Sequence, residues 1–414
     1  MILAPAPGER AGAVDQRGIG MKKLSIENVD LKGKRVFIRV DFNVPLEKGK
    51  VADITRIEQA LPTIRHAIYA GAKVIVASHM GRPKGVVDPK ASLRQVLDVF
   101  KSMLGRPVDF ADDCIGEKAR SAVDSLQDGH ALLLENLRFH KEEEKNDPEF
   151  AKELASLADV YVNDAFGAAH RAHGSTVGIT RFVKPCAAGF LMQKEIEYFT
   201  RALTEPKRPL AAILGGAKVS SKIYALENLV DKCDIMIIGG GMAFTFLKAR
   251  GLEIGDNILE PDMLEGAKKV LEKARVKGVK FYMPVDFVVA DKIEEGAKTQ
   301  LVTFHDLPKG KIAPDIGPAS ISLFDTALCN AGTIVWNGPM GVFETKTFAA
   351  GTLGMIKTLK SSKALTVVGG GDSALAVNMA GATKEMDFIS TGGGAFLELL
   401  EGKTLPGLAA LDDA

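Results

Sequence analysis

Cysteine is scarce in this chain: Cys114, Cys186, Cys233 and Cys329 lie far apart and form no CxxC pair. That pattern excludes a small disulfide framework, offers no zinc-ribbon spacing, and fits a reducing, cytoplasmic compartment. Long apolar runs are missing too, since none approaches the ~18 residues of a membrane-spanning helix, so no membrane partner is expected. No Gly-x-x-x-x-Gly-Lys occurs, which removes the P-loop nucleotide hydrolases. Neither sign of charge dominates: 53 Lys and Arg against 52 Asp and Glu leave a formal net charge of +1. Binding to nucleic acid by counterion release needs a basic surplus, so nucleic acid is not an expected partner.

What is present is glycine, 42 residues of it, within an ordinary globular balance of 46% hydrophobic and 25% charged residues. A chain of 414 residues exceeds what one core serves, so two or three domains are expected. The first twenty residues, "MILAPAPGERAGAVDQRGIG", have no apolar signal core, and residues 1–20 are expected to be a disordered extension or a mis-set translation start. Nothing suggests an obligate interface, which makes a monomer the default.

From Met21 onward short apolar runs alternate with helical periodicity: "RVFIRV", a helix using Ile57, Leu61, Ile64 and Ile68, "AKVIVAS", "ALLLE" and "DVYVND". The second half repeats the pattern with "PLAAIL", "DIMIIGGG", "VKFYMPVDFVVA", "TIVWNGP", "LTVVGGG" and "DFISTGGG". Such alternation predicts an α/β chain of two doubly wound parallel-sheet domains. Between them "LMQKEIEYFTRAL" reads as a connector helix and "TEPKRP" as a proline-bounded entry into the second sheet. The boundaries expected are 21–190 for the first domain, 191–209 for connector and hinge, 210–390 for the second domain and 391–414 for a C-terminal segment.

The unusual residues fall just past strand ends, the edge where open α/β sheets bind ligands. In the first half these include Asp41 and Asn43, His79 and Arg82, and Arg138, with Arg39, Arg56 and Arg171 nearby. A single arginine is most simply a solvated surface residue, but several guanidiniums at one edge suit a small, multiply anionic substrate. Asp41 and Asn43 would add acceptors for a hydroxyl. His79, His170 and His173 invite a metal, since His170 and His173 are three apart, yet no cysteine or acid completes the spacing, so His79 or His170 is expected to hydrogen-bond an anionic ligand instead. The run "HKEEEKNDPE" reads as a solvated helix start and is given no chemistry.

In the second half "LGGAKVSSK", "IGGGMAFTF" and "VGGGDSALA" place glycines where helices open. Free N–H groups and a partial positive charge at a helix start favour phosphate, while close packing explains any single glycine equally well. Lys218 and Lys222 would share a helical face if the helix begins nearby. Gly369-x-Gly371-x-x-Ala374 matches a loose dinucleotide fingerprint, with Asp387 as a candidate ribose acid, which would suit a nicotinamide-dependent dehydrogenase. That match leaves "WNGPMGVFE" unexplained and would set Asp372 against a pyrophosphate. A carboxylate there makes sense if it holds Mg²⁺ beside phosphates.

Taken together "RVDFNVP", "SHMGRP", "ENLRF", "AHRAHGS", "GGAKVSSK", "WNGPMGVFE", "VGGGDSA" and "STGGGA" resemble, in the same order, the motifs of the phosphoglycerate kinases. The resemblance runs from about Lys22 to the carboxyl end. It implies two Rossmann-like domains joined by a hinge, 3-phosphoglycerate or 1,3-bisphosphoglycerate on the first, Mg-ADP or Mg-ATP on the second, and a C-terminal segment returning to the first. Carried over residue by residue, Asp41, Phe42, Asn43, Arg56, His79, Met80, Gly81, Arg82, Arg138 and Arg171 would hold the phosphoglycerate. Lys222, Ala313, Asn337, Glu344, Gly370, Gly371, Asp372 and Ser373 would hold the nucleotide, with Asp372 on magnesium. Arg56 and Lys218 would be the catalytic cations. The chain departs from the family pattern at Phe396, where a small residue is more usual, and at Ala313-Pro314, which replaces Gly-Leu.

Overall fold

A computed structural model describes residues 22–414, so the expectation for residues 1–20 lies outside the described residues. Contacts divide the chain into two compact units, one from Tyr198 to Lys403, the other running up to Glu197 and including Thr404–Ala414. The division falls near the end of the helix Phe190–Phe199, which continues in a wider turn over Thr200–Thr204.

The first unit is built on β1 (Arg35–Arg39), a short hairpin of β2 (Leu46–Glu47) and β3 (Lys50–Val51), β4 (Lys73–Ala77), β5 (Val108–Ala111), β6 (Ala131–Leu134), β7 (Val160–Asn163) and β8 (Cys186–Ala188). Six of these strands form a parallel sheet in the order β5-β6-β4-β1-β7-β8. Val36, Phe37 and Ile38 in β1 and Leu132 and Leu133 in β6 are fully buried. Parallel strands covered by helices on both faces need such continuous apolar runs. Ile57, Leu61, Ile64 and Ile68 lie on the buried side of the helix Thr55–Tyr69, as their spacing predicts.

The chain's two described ends meet in this unit. Leu24 N donates to Asp412 O (2.8 Å), Asp412 N to Cys186 O (3.0 Å) and Ala414 N to Lys22 O (2.7 Å), while Lys23 Nζ lies 2.7 Å from Asp413 Oδ1.

The second unit carries β9 (Leu210–Leu214), β10 (Ile235–Ile238), β11 (Lys280–Tyr282), β12 (Asp286–Ala290), β13 (Gln300–Thr303), β14 (Ile312–Ile316), β15 (Thr333–Asn337), β16 (Leu365–Gly369) and β17 (Phe388–Ile389). Its parallel sheet runs β11-β10-β9-β15-β16-β17, and a separate antiparallel sheet runs β13-β12-β14. The stretch "VKFYMPVDFVVA", one apolar run in the sequence, is thus shared between two sheets. Buried carboxylates anchor the helices beside that smaller sheet. Asp286 accepts from Ala319 N (2.9 Å) and Ser320 N (2.7 Å) at the start of Pro318–Leu328, and Asp315 from Gly351 N (2.8 Å) at the start of Ala350–Ser361. Burial pushes the Asp315 carboxyl up to about 7.

Phe396 has a packing explanation. Its ring is 2% exposed and occupies the space where a side chain on Gly369 would stand. Gly369→Ala is therefore expected to destabilise the protein by about 1–3 kcal/mol, the usual cost of overpacking. Urea unfolding of Gly369→Ala, Phe396→Leu and the double variant checks this: the two changes should be markedly less than additive, and full additivity would rule out the contact.

Candidate active site

Each parallel sheet grows outward in two directions from its first strand, β1 in one unit and β9 in the other. The loops leaving the strand ends at such a reversal diverge and open a crevice.

At the first sheet the loops after β1 and β4 are laced together. Asp41 Oδ2 accepts from Arg56 Nη1 (2.5 Å), Asp41 Oδ1 from Asn43 N (3.1 Å), and Asn43 Oδ1 from Gly81 N (2.8 Å). The acceptor oxygens of Asp41 and Asn43 are thus already engaged in shaping the edge. Phe42 and Met80 are buried in the core beneath this edge. Asn136 bridges further, accepting from Met80 N (3.2 Å) and donating to Met80 O (2.7 Å) and Ala91 O (2.8 Å). Arg138 Nη1 donates to Gly81 O (2.9 Å), and its Nε lies 3.2 Å from Glu144 Oε1. Arg171 Nε donates to His170 Nε2 (3.0 Å), and Arg82 is exposed.

Two of the arginines are not surface residues. Arg39 is fully buried and Arg138 is 5% exposed. The histidines beside them are held neutral. Burial, then the positive charges of Arg39 and Arg138, lower His79 well below its usual range; burial and Arg138 take His173 down to about 3. His79 contributes a hydrogen bond rather than charge, its Nδ1 lying 3.1 Å from Arg39 Nη2, while His173 Nδ1 has no hydrogen-bond partner among the described residues. Nothing in the sequence marks Glu143 or Ser175, and the run that contains Glu143 reads as solvated. The structure corrects this: Glu143 is fully buried, accepting from Ser175 Oγ (2.6 Å) and Ser175 N (2.8 Å).

At the second sheet the backbones after β9 and β15 approach very closely. A Cβ on Gly215 would collide with Pro339 O, and one on Gly240 would lie 2.6 Å from Gly216 N. These glycines serve close packing. Gly371 differs, with nothing within 4 Å of where its Cβ would stand. It opens the helix Gly371–Met379, with Gly370 before it at φ 93° and Asp372 exposed in the first turn. Ser373 is buried, its Oγ accepting from Gly338 N (2.6 Å), and Asn337 Nδ2 donates to Gly369 O (3.1 Å).

Lys218 and Lys222 do not share a helical face, because the helix begins at Ile223. Lys218 is exposed in the loop, whereas Lys222 Nζ reaches back to Gly215 O (2.7 Å) and Asn337 O (3.0 Å). Burial lowers this ammonium to about 8, against a smaller upward pull from Asp372. Ala313 N donates to Asn257 Oδ1 (2.6 Å), and Glu344 is exposed.

Asp387 does not serve a dinucleotide ribose. Its Oδ2 accepts from Thr366 N (2.8 Å) and Thr366 Oγ1 (2.9 Å) near the start of β16, the opposite end from the glycines. Asp113, Cys114 and His140 bring ligand-type atoms within 4.8 Å of one another, a grouping the spacing did not suggest. His140 Nε2 and Asp113 Oδ1 are directly bonded at 2.7 Å, and burial raises the Cys114 thiol well above its usual range.

An arginine-lined strand edge in one unit and a lysine beside an open helix start in the other are the equipment of an α/β phosphotransferase. The family model for phosphoglycerate kinase matches residues 26–403. The chain is 54% identical over 416 residues to a chloroplastic phosphoglycerate kinase of Volvox carteri, covering 97% of this chain and 90% of that one. A phosphoglycerate kinase of Synechococcus sp. (strain CC9311) is 56% identical over 389 residues, covering 93% and 97%. The solved phosphoglycerate kinase of Coxiella burnetii superimposes with a TM-score of 0.86 at 42% identity, covering 94% of this chain and 98% of that one. The chain belongs to the phosphoglycerate kinase family.

Lys222 should titrate near pH 8, and Asp372→Asn should lower that midpoint because the carboxylate's pull is upward. NMR of ¹³Cε-labelled lysine reads both. The sign for stability follows: with the folded value below the unfolded ~10.4, the unfolded chain binds the proton more readily between them, so this group's penalty fades as pH rises through that window. A Lys222 midpoint above 10 would show that the ammonium is not desolvated.

Proposed function

We propose that the first unit binds 3-phosphoglycerate or 1,3-bisphosphoglycerate through Asp41, Phe42, Asn43, Arg56, His79, Met80, Gly81, Arg82, Arg138 and Arg171. The second unit binds ADP or ATP through Lys222, Ala313, Asn337, Glu344 and the Gly370, Gly371, Asp372 and Ser373 turn. Lys222 carries the reading. Its half-buried ammonium rests on two carbonyl oxygens with no carboxylate bonded to it, beside a helix start whose approach is open at Gly371. An arriving phosphate supplies the missing counter-charge.

Mg²⁺ fits the same place. Asp372 offers an exposed carboxylate on the first turn of that helix, and Mg²⁺ is ordinarily held by one or two carboxylates together with phosphate oxygens. Bound there, the ion would supply charge neutralisation on the phosphates.

The acceptor in the direction of ATP consumption is a carboxylate, ionised near neutral pH because such groups titrate around ~4. No general base is required. Arg56, held by Asp41, and Lys218, free in its loop, are the cations assigned to the phosphoryl group in flight, so catalysis is positioning and charge neutralisation. In-line transfer needs reacting atoms within about 3.5 Å, so two ligands on two units require closure. The protein is assigned to the cytoplasm as a monomer; its four unpaired cysteines fit a reducing compartment, and among the described residues no helix is long and apolar enough to cross a membrane.

Hydroxylamine trapping tests the chemistry: protein, Mg-ATP and 3-phosphoglycerate should yield hydroxamate, and ADP release without hydroxamate would sink the acceptor assignment. Lys218→Ala should lower kcat by about 10³ or more, as for other cations that neutralise a transferring phosphoryl group. A loss under about tenfold with binding intact would remove Lys218 from the transition state.

A further inference from the structure

A chain of buried polar groups behind the arginine-lined edge fixes more than its shape. It begins at Glu143, in the short helix Lys141–Glu144, and passes through Ser175 and Arg39 to His79; the first three are fully buried and His79 is 6% exposed. The hydrogen-bond directions follow from which atoms own protons. Glu143 Oε1 takes the single hydroxyl proton of Ser175 (2.6 Å), and Glu143 Oε2 takes its backbone N–H (2.8 Å). The Ser175 oxygen, its proton spent, accepts from Arg39 Nε (2.9 Å). Arg39 Nη1 donates to Val40 O, and Arg39 Nη2 meets His79 Nδ1 at 3.1 Å. Arginine has donors only, so Nδ1 of His79 must accept. A neutral imidazole that accepts at Nδ1 carries its proton on Nε2.

We propose that Glu143, through Ser175 and Arg39, is a positioning residue that locks His79 as the Nε2–H tautomer, a neutral donor turned to an anionic substrate. The proposal rests on the reading above that His79 meets the phosphoglycerate. Burial and the surrounding guanidiniums independently keep this ring uncharged. Glu143 also orders the other side of the same edge. Its carbonyl accepts from Gly174 N (2.8 Å), and Tyr161 Oη donates to Ser175 O (2.8 Å), so the loop that carries His170 and Arg171 is held from beneath. The pair of buried charges explains why the arrangement is obligatory. Arg39 has no bonded carboxylate of its own and reaches Glu143 only through Ser175, so losing the relay leaves a guanidinium buried without compensation.

The test uses the full-length, ligand-free protein labelled with ¹⁵N-histidine, and long-range ¹⁵N–¹H correlation at neutral pH. His79 should show a protonated Nε2 and a bare Nδ1; a proton on Nδ1 would overturn the tautomer. Ser175→Ala keeps both charges and cuts the relay, whereas Ser175→Thr keeps the hydroxyl. In Ser175→Ala the His79 resonances should move toward a mixture of tautomers, and KM for 3-phosphoglycerate should rise about tenfold, the size of one lost charge-assisted hydrogen bond. KM for Mg-ATP and kcat should stay within about twofold, and Ser175→Thr should restore both readouts. Glu143→Gln, read the same way, serves if Ser175→Ala does not fold. A folded variant with an unchanged His79 spectrum and unchanged KM would overturn the positioning role. His79→Gln separates the two layers: an unchanged KM for 3-phosphoglycerate there would remove His79 from the substrate site while leaving the tautomer measurement intact.

Discussion

One ammonium ties the second sheet together at its point of reversal. Lys222 Nζ lies against Gly215 O and Asn337 O, at the ends of the two strands from which the sheet grows in opposite directions. The backbones meet there so closely that only glycine fits at positions 215 and 338, the latter at φ 99°. Asn337 and Ser373 then align the Gly371 helix with this junction by holding Gly369 O and Gly338 N. A charge resting on carbonyl dipoles alone is under-compensated, and a phosphate gains most from such a group.

The first unit handles buried charge in the opposite way. Glu143 and Arg39 offset each other through one hydroxyl before any ligand arrives, and the same residues set the loops around them. Arg56 on Asp41 and Arg138 near Glu144 repeat the arrangement closer to the surface. Guanidiniums held in place by acids need little reorganisation to meet an anion, which is the condition for electrostatic catalysis without proton transfer.

The sheets were legible in the sequence because both-face burial writes continuous apolar runs such as "VFI" and "LLL", and the helix over Thr55–Tyr69 because Ile57, Leu61, Ile64 and Ile68 keep its period. Short edge strands were not: "VDFA" and "CAA" are too brief to carry a pattern. The strand-end residues of the candidate site stood out by type, since arginine and glycine clusters need no tertiary knowledge to notice. What tertiary structure alone reveals is which of them are consumed. Gly215 and Gly240 pack and Gly371 is open, though all three read alike in the chain. Glu143 sits among four other charged residues in "KEEEK", and only the fold turns it inward to Ser175. Local composition cannot distinguish one glutamate of such a run from the next.

The pairing of Leu24, Asp412 and Cys186 bears on the order in which a chain made from its amino end is completed. The unit Tyr198–Lys403 is one unbroken stretch and has all of its strands as soon as Lys403 is available. The other unit is begun first but lacks Thr404–Ala414 until after Lys403 has been added. Until then Cys186 O and Leu24 N lack Asp412, although Ser25 can already bridge Ala188 beside β8. The unit begun first is thus completed after the second, and the nascent chain carries these two unpaired backbone groups throughout the synthesis of the second.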